Sequence, residues 1–418
     1  MGQNFPHTRS RKASRPSPAS GFSLVEVMVA MVIGMLGIIV MMQMFSVFEG
    51  QKRTTTGGDD AINSGAASLY RIERDMQQSG LGISAAPLIG CTLSGLSAAG
   101  SANLALAPVS INPEVTPGNP LITGQDANTD TLLLISGNGS GTVDGDVLNS
   151  AVAAGATSYP VHTPTSFALG DRVVATRNTR TNPCAVNLAT IVAPAPAAGV
   201  ALTVSTAAPA ALASGDLLFN LGAAPIARAY AIRGGNLTVC DYTAANCGSA
   251  ANNGDPAVWV PIANNIVSLR AQYGRDTTDA PPAATVSSRM DGAVDVWDQI
   301  HLWDQAAWLA GSVSADPAKD TAACALLRVA AVRIALVARN SQPEKTLAGG
   351  AHVTLAGPFW AGSDLAAQGA DAVQAAAVAI SLPSPDPSWP TWQDFRYKVF
   401  QTVIPLRNIT RQGAVPEC

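Results

Sequence analysis

An uncharged run at residues 27–48 constrains this chain more than any other feature of its sequence. At about 1.5 Å per residue, these roughly 22 residues form a helix about 33 Å long, enough to cross a hydrocarbon core of about 30 Å. Six of the nine methionines lie in the run, and flexible thioether side chains suit a surface that packs against several neighbours. The run therefore predicts one membrane-spanning helix near the amino terminus.

The residues around this run argue against a secretory signal peptide. Such peptides have a shorter apolar region that ends in a small-residue cleavage site, whereas here Gln43 is followed by Met, Phe, Ser, Val and Phe. Upstream, residues 1–21 contain four basic side chains and no acidic one. By the positive-inside rule, this leader lies in the cytoplasm and the remainder of the chain lies across the membrane.

An acidic residue, Glu26, lies at the start of the predicted membrane helix. An unpaired carboxylate in that position costs on the order of a few kcal/mol, so Glu26 needs a cationic partner. A cut between Gly21 and Phe22 would free the α-amino group of Phe22, which could serve as that partner in the same chain or in an adjacent subunit.

Residues 21–26 read Gly-Phe-Ser-Leu-Val-Glu and resemble the class III signal of type IV pilins and pseudopilins. The resemblance implies that a prepilin peptidase cuts after Gly21 and N-methylates Phe22, and that Glu26 aligns subunits during assembly. The partners it implies are that peptidase, the inner-membrane assembly platform, and other minor and major pilins bound through the amino-terminal helix.

The pattern that follows predicts a second, amphipathic half of the helix. Residues 49–60 contain consecutive threonines and glycines, which are poor helix formers, so we expect a frayed or locally unwound segment there. Beyond it, apolar residues recur at helical spacing and predict a stripe that docks on a globular domain. The stripe consists of Ile62, Ala66, Leu69, Ile72 and Met76. Ser79, Gly80 and Leu81 then predict the end of the helix.

Three further stretches resemble minor pilins of the PilW type. Residues 69–82 are similar to the end of the long helix in those proteins, and residues 326–338 and 397–408 are similar to their closing strands, with Val-Arg-Ile and Pro-Leu-Arg-Asn phrases. The resemblance covers both ends of the chain well and its middle loosely.

From residue 83 onward, short apolar runs alternate with turn residues, which is typical of antiparallel β structure. The predicted strands are residues 131–135, 172–176, 201–205, 217–221, 227–232, 236–240 and 266–273. Gly234 and Gly235 separate two of these runs and predict a hairpin. Residues 326–338 read as a buried strand or its flank, and residues 397–408 as a strand that ends at a proline.

All six cysteines lie beyond the membrane segment. An exported domain favours disulfides, and six cysteines allow 15 connectivities. Cys240 and Cys247 enclose a short loop and form the one pair that we predict. The sequence contains no Cys-x-x-Cys and no histidine near its cysteines that would complete a zinc site, so no metal is expected.

Residues 276–324 interrupt the strand pattern with tryptophans interleaved among aspartates. One interpretation is an aromatic and acidic contact patch. The other is a helical insertion that packs its own tryptophans against a core, as amphipathic aromatic stripes usually do. Both interpretations stay open at this point.

Motifs for catalysis or cofactor binding are absent from the sequence. It has no Gly-x-Ser-x-Gly, no His-Glu-x-x-His and no phosphate-binding Gly-x-x-x-x-Gly-Lys. Asp126, Asn128 and Asp130 repeat the first half of a calcium loop without its glycine or its final glutamate, so a polar turn is expected and calcium is the alternative. We predict a protein that is not an enzyme and has no cofactor.

Charge argues against a nucleic-acid partner. Removing the four basic leader residues from the 25 in the chain leaves 21 against 29 acidic residues, a formal net charge of −8. A surface of that sign does not attract nucleic acid by bulk electrostatics.

These observations predict an α+β, pilin-like fold in which a long amino-terminal α-helix packs on a carboxyl-terminal, antiparallel β-rich domain. The predicted parts are a cleaved leader at 1–21, a helix at 22–80 with its transmembrane part at 27–48, and a periplasmic or extracellular domain at 81–418 with an insertion at about 276–324.

The resemblance implies a minor pilin in the tip or initiation complex of a type IV pilus, with roles in pilus assembly, twitching motility and adhesion. The protein would be a single-pass inner-membrane protein before assembly and part of a surface pilus afterwards. A minor pseudopilin of type II secretion and a pilus-tip adhesin module remain as alternatives.

Overall fold

The computed structural model describes most of the chain from Gly21 to Thr410. The described residues are 21–116, 118–139, 143–179, 184–276, 293–294, 296–299, 322–344, 354, 356–362, 378–380, 382 and 392–410. The chain divides into two compact units, residues 1–55 and 56–418, and each is described by itself.

The amino-terminal helix, α1, spans Leu24–Gln78 and includes the low-propensity segment at residues 49–60. The prediction of an unwound segment there is wrong. Two local contacts accommodate the poor helix formers: the hydroxyl of Thr55 donates to the carbonyl oxygen of Gln51 at 2.9 Å, and Gly57 is buried beside Asn340. Helix propensity is a weak preference that such contacts override.

The face that α1 buries in the second unit differs from the predicted stripe. Its lower part agrees with the prediction, because Ile72 and Met76 are fully buried. Its upper part is displaced by one residue, since Ile62 is 48% exposed while small residues face the domain. The buried face consists of Gly57, Ala61, Gly65, Ser68, Ile72 and Met76.

The end of α1 follows the predicted stop. Gly80 adopts a left-handed backbone with φ of +84°, and its N–H donates to the carbonyl oxygen of Ile135 at 2.8 Å. A left-handed residue at this position is favoured for glycine because it has no Cβ. The chain therefore turns sharply at Gly80 and enters the β domain.

The remaining elements are short helices and β-strands. In chain order the strands are β1 Thr92–Ser94, β2 Leu104–Ala105, β3 Val109–Ile111, β4 Glu114–Thr116, β5 Asn119–Pro120, β6 Leu132–Ser136, β7 Asp146–Val147, β8 Ser158–Tyr159, β9 Arg172–Thr176, β10 Ala185–Val192, β11 Leu202–Val204, β12 Leu217–Gly222, β13 Ile226–Arg233, β14 Asn236–Asp241, β15 Val260–Asn264, β16 Ile266–Arg275, β17 Val296–Asp298, β18 Val329–Arg339, β19 Phe359–Trp360, β20 Val378–Ala379 and β21 Tyr397–Pro405. The α-helices are α2 Ala322–Leu327 and α3 Arg407–Thr410, and the 3-10 helices are Ala98–Gly100, Pro164–Ser166, Ala250–Asn252 and Trp392–Asp394.

Three larger sheets organise these strands. One has eight strands, with the order β2-β1-β10-β9-β12-β7; β11 also pairs with β10, and β8 pairs with β11. The second has the order β15-β14-β13-β6-β3, and the third has the order β17-β16-β18-β21. The pairings within them are antiparallel except for β1 with β10, which is parallel. The predicted α+β, pilin-like fold is confirmed.

Separate hydrophobic clusters fill the domain. One brings the lower part of α1 together with inward-facing residues of the second and third sheets, among them Tyr230, Tyr273 and Ile334. Another lies between the second sheet and the eight-stranded sheet, and a third fills the outer part of the eight-stranded sheet. The docking half of α1 is therefore part of the core of the second unit.

Each of the seven predicted strands is present within one or two residues of its expected bounds. The hairpin at Gly234 and Gly235 is also confirmed, since Arg233 pairs directly with Asn236 across it. Two details differ. The stretch at 326–338 begins with the end of α2 before β18. The Ala-containing β10 went unpredicted although it pairs with β1, β9 and β11, and so did the shorter strands β1–β5, β7, β8, β15, β17, β19 and β20.

Candidate functional site

The predicted processing site lies just before α1, outside any helix or strand. Gly21 to Ser23 precede the helix, which begins at Leu24. Phe22 is 82% exposed, and a Cβ built on Gly21 would meet no atom within 4 Å. The peptide bond between Gly21 and Phe22 is thus sterically accessible in the described residues, which begin at Gly21.

Glu26 lies in the first turn of α1 and is exposed. Negative charge is favourable near a helix amino terminus, because the first N–H groups have no partner within the helix. Glu26 is followed by an apolar surface that stays exposed as far as Phe48. By length and composition, α1 is the single described helix able to cross a membrane.

Asp75, an acidic residue that the sequence analysis did not identify, binds the docking half of α1 to the β domain. Asp75 accepts a hydrogen bond from Arg228 Nη1 at 2.9 Å and a short one from the hydroxyl of Tyr230. The Asp75 side chain is only 13% exposed, and burial, followed by the hydrogen bond from Tyr230 to Asp75, raises the pKa of Tyr230. Charge-assisted bonds of this kind contribute about 1.5–3 kcal/mol each.

The Pro-Leu-Arg-Asn phrase near the carboxyl end has a structural role. Asn408, in α3, donates from Nδ2 to the carbonyl oxygen of Ser79 at 2.7 Å and approaches that of Gln78 at 3.3 Å. Ser136 donates to the same Gln78 carbonyl at 2.8 Å. The last carbonyl groups of a helix lack intrahelical partners. At the end of α1 the side chains of Asn408 and Ser136 donate the missing hydrogen bonds.

All five cysteines among the described residues are disulfide-bonded. Cys240 and Cys247, the predicted pair, are bonded to each other at the end of β14. Cys91 is bonded to Cys184, which links the start of β1 to the start of β10. Cys324 is also disulfide-bonded.

The candidate calcium residues do not converge on one point. The two carboxylate oxygens of Asp126 accept from the N–H groups of Gly234 and Gly235 at 2.8 and 2.7 Å. Asp130 points elsewhere, and Asn128 occupies a left-handed turn with φ of 59°. Across the described residues no cluster of three or more metal-binding side chains occurs. The motif builds a polar turn that holds the β13–β14 hairpin.

Asp130 is the centre of a buried polar network. Its Oδ1 accepts from Asn112 Nδ2, and its Oδ2 accepts from the N–H of Ala271, each at 2.9 Å. Gln299, just after β17, also donates to Oδ2. Burial raises the pKa of Asp130, and the positive charge of Arg270 opposes that shift.

This network and an adjacent ion pair attach residues 296–299 of the 276–324 insertion to β16. Asp298 is buried and forms an ion pair with Arg275, with 2.8 Å between its Oδ2 and Nε. Trp297 packs against Gly274, and its ring lies under the guanidinium of Arg333 at 4.8 Å. For Trp297 and Asp298 the structure therefore favours packing against the core, but these residues lie in strand β17 and not in the predicted helix, because they pair with β16. The other tryptophans and aspartates of the proposed patch lie outside the described residues.

The glycine-rich Gly137-Asn-Gly139 stretch marks a crossing of two backbones. A Cβ on Gly139 would lie 2.6 Å from the carbonyl oxygen of Asn220, and one on Gly137 would lie 2.9 Å from that of Leu221. The N–H of Gly137 donates to the carbonyl oxygen of Leu81 at 2.8 Å. The glycines thus allow close backbone contact at this crossing.

An exposed apolar amino-terminal helix whose lower half is built into an antiparallel β domain defines a pilin-like protein. Comparison with known families agrees with this class. Residues 17–42 match the family model described as Prokaryotic N-terminal methylation motif, and residues 230–408 match the one described as Type IV Pilus-assembly protein W. The predicted resemblance is confirmed, and the two matches support a type IV pilus-related pilin.

The matched regions contain the features described above. The amino-terminal match covers Gly21, Phe22 and Glu26, and the carboxyl-terminal match extends from within β13 to Asn408. The matched families are structural components of pili rather than enzymes. No curated protein and no solved structure matches the chain.

Proposed function

We propose that this protein is a minor pilin that joins the tip or initiation complex of a type IV pilus and promotes pilus assembly, twitching motility and adhesion. The observation that carries the proposal is the pairing of a pilin-type signal and exposed apolar helix with a PilW-type carboxyl-terminal domain. The protein acts by assembling with other subunits, without a cofactor.

Processing comes first in this proposal. A prepilin peptidase cuts after Gly21 on the cytoplasmic side of the inner membrane and N-methylates the new amino-terminal residue, Phe22. The new α-amino group and the carboxylate of Glu26 have opposite charges, and their pairing, within a chain or between neighbours, offsets the cost of a carboxylate at the membrane. The chain leaves the membrane when it enters the pilus.

Deletion of the gene, followed by counting of surface pili, tests the function. We expect a loss or strong reduction of pili and of twitching, both restored by the full chain. Normal piliation together with failed release of secreted proteins would instead identify a minor pseudopilin of type II secretion. Normal piliation with loss of adhesion alone would identify a tip adhesin.

A further inference from the structure

β21 is an edge strand with a regular open side. Among the described residues it pairs only with β18. That pairing runs in one register from Tyr397 to Pro405 without a β-bulge, and the strand has no proline before Pro405. Natural edge strands are commonly short, bulged or interrupted by proline, because an unpaired edge can pair with another chain. A regular edge of nine residues therefore suits the addition of a further strand.

The direction of each backbone group in β21 follows from the hydrogen bonds at its two ends. The N–H of Leu406 donates to the carbonyl oxygen of Ala330 at 2.9 Å, and the N–H of Asn340 donates to that of Arg396 at 3.1 Å. In an antiparallel pair, residues that bond to the partner strand alternate with residues whose N–H and C=O groups point away from it. The even-numbered residues of β21 therefore bond to β18.

The odd-numbered residues of β21 direct their N–H and C=O groups to the open side. They are Tyr397, Val399, Gln401 and Val403, which carry an N–H, and Pro405, which does not. None of these four N–H groups donates to another described residue. Over residues 397–403 the strand thus offers a donor and an acceptor at every second residue, which is the spacing that an added strand requires.

The open side of β21 lies beside the docking half of α1. A Cβ on Gly65 would contact the ring of Phe400, so the two elements touch there. The side chains of α1 that line a groove towards β15 are Asn63, Ser64, Ala67, Ser68 and Arg71. Ile62, Ala66 and Tyr70 recur every four residues outside that groove and are exposed, so they lie on the flank of α1 towards β21.

The borders of this edge are apolar. Ile62 is 48% exposed and Tyr70 is 68% exposed on the α1 side, and Val403 is 53% exposed on the strand itself. The side chains of an added strand alternate between two faces, and those directed towards α1 would meet Ile62 and Tyr70. The complementary occupant is therefore an extended segment with apolar residues at alternate positions.

We propose that β21 accepts an extended segment of a neighbouring pilin subunit, which adds as a strand and places alternate apolar side chains against the exposed flank of α1. The proposal rests on the proposed function, because assembly brings other subunits beside α1 and hence beside the strand edge next to it. It assigns a second contact surface to the chain, on the β domain and separate from the apolar part of α1.

Site-specific photocrosslinking tests the strand edge. The photoreactive residue benzoylphenylalanine replaces Gln401 in one full-length variant and Val403 in another, both exposed odd-numbered residues of β21. A control variant carries it at Leu169, which is 50% exposed and lies outside the third sheet. After irradiation of piliated cells, mass spectrometry identifies the attached peptide and the attached residue.

We expect both β21 probes to attach to one segment of another pilin, at residues two positions apart, because paired strands advance together with a period of two. Their yield should exceed that of the Leu169 probe at least about tenfold. Attachment to a second copy of this chain, to lipid or at residues spaced as on a helix would overturn the proposal. So would equal yields from the β21 and Leu169 probes.

Proline substitution tests the backbone pairing. In the Val403 probe background, Gln401→Pro deletes an N–H that points away from β18, so the pairing with β18 is kept. Gln401→Ala removes the same side chain, together with its hydrogen bond from the N–H of Ala361, but keeps the backbone N–H. We expect Gln401→Pro to lower the adduct yield about tenfold relative to Gln401→Ala. Equal yields would contradict strand addition.

Denaturant unfolding verifies that both variants are folded. If Gln401→Pro does not fold, the same comparison is made with Val403→Pro and Val403→Ala in the Gln401 probe background. The expected and the contradicting results are unchanged, because the N–H of Val403 also points to the open side.

The same cells separate failure of the strand edge from failure of the proposed function. If the probe-bearing chain enters pili but neither β21 probe yields a specific adduct, the strand proposal fails and the minor-pilin function stands. If a strand attaches at both probes although cells without the chain are normally piliated, β21 stands as a strand acceptor and the pilus function fails.

Discussion

At the scale of single residues, two carboxylates contrast in their surroundings. Glu26 is exposed on the first turn of α1 and has no partner among the described residues. Asp130 is fully buried and accepts hydrogen bonds from Asn112, Ala271 and Gln299. The first carboxylate is available to another subunit, whereas the second belongs to the folded domain, so their substitution should affect different properties.

We expect Glu26→Ala to leave cleavage after Gly21 intact but to reduce incorporation into pili at least about tenfold, since loss of one charge-assisted contact costs about 1.5–3 kcal/mol. Sheared pili and membranes are compared by immunoblotting, and the mature amino terminus is determined by mass spectrometry. Glu49→Ala, an exposed acid in the same helix, is the control. Wild-type incorporation of Glu26→Ala would refute the pairing argument.

We expect Asp130 to give the domain a distinctive pH dependence. Its pKa is raised in the folded state by burial, so folding favours the protonated carboxyl. The resulting stability is fully present below the unfolded pKa of about 3.9 and is lost as the pH rises through the higher folded value. As the pH rises, the free energy of unfolding of the wild type should thus fall relative to that of Asp130→Asn. The expected fall is about 1.4 kcal/mol for each unit by which the pKa is raised.

Denaturant unfolding of the full chain in detergent, repeated from about pH 3.5 to about pH 7, measures this difference. Asp59→Asn, at an exposed position on α1, controls for a general change in charge. Parallel pH curves for the wild type and Asp130→Asn would show that Asp130 does not titrate abnormally.

At the scale of elements, α1 docks through small residues in its upper half and through large apolar ones in its lower half. Gly65 is the tightest point: a Cβ there would lie 2.1 Å from Cε2 of Phe400 on β21. Gly58 lies one residue from the buried face, and a Cβ built on it would have no atom within 4 Å. The two glycines therefore provide a matched comparison within one helix.

We expect Gly65→Ala to destabilise the domain by about 1–2 kcal/mol, because the added methyl group forces the Phe400 ring to move, at a cost that exceeds the gain of about 1 kcal/mol in helix propensity. Gly58→Ala should stabilise it by about 0.5–1 kcal/mol. Urea midpoints of the two full-length variants measure both effects.

The double variant Gly65→Ala, Phe400→Leu provides a further check. A smaller side chain at position 400 should restore part of the lost stability, since it relieves the contact with the new methyl group. Equal stabilisation by Gly65→Ala and Gly58→Ala would show that the two sites do not differ in packing.

At the scale of the whole molecule, one sheet joins the carboxyl-terminal family match to the β structure that precedes it. β6 and β13 pair directly, with Ser136 opposite Ile226. The chain between them, residues 137–225, builds most of the eight-stranded sheet and precedes the matched region 230–408. The disulfide from Cys91 to Cys184 ties this added structure to the segment that follows α1.

Much of the fold follows from local sequence. The membrane helix, the helix stop at Gly80, seven strands and the Gly234–Gly235 hairpin each come from a pattern within a few residues. Strand β10 shows why other parts of the fold do not follow from local sequence. β10 contains alanine, asparagine and threonine and gains its strand conformation from pairing with its neighbours, and strand formation is sensitive to such context.

The sequence by itself determined the apolar helix, the pilin-type signal at residues 21–26 and the alternation of strands and turns, because each depends on residue type and spacing along the chain. Only the tertiary structure decided which face of α1 docks. Periodicity weighs Ile62 above Gly65, but the ring of Phe400 leaves no room for a side chain at Gly65, so close packing selects the small residues. Tertiary structure likewise brought Asp75 to Arg228 and Asn408 to the end of α1, because those contacts join residues that are far apart in sequence.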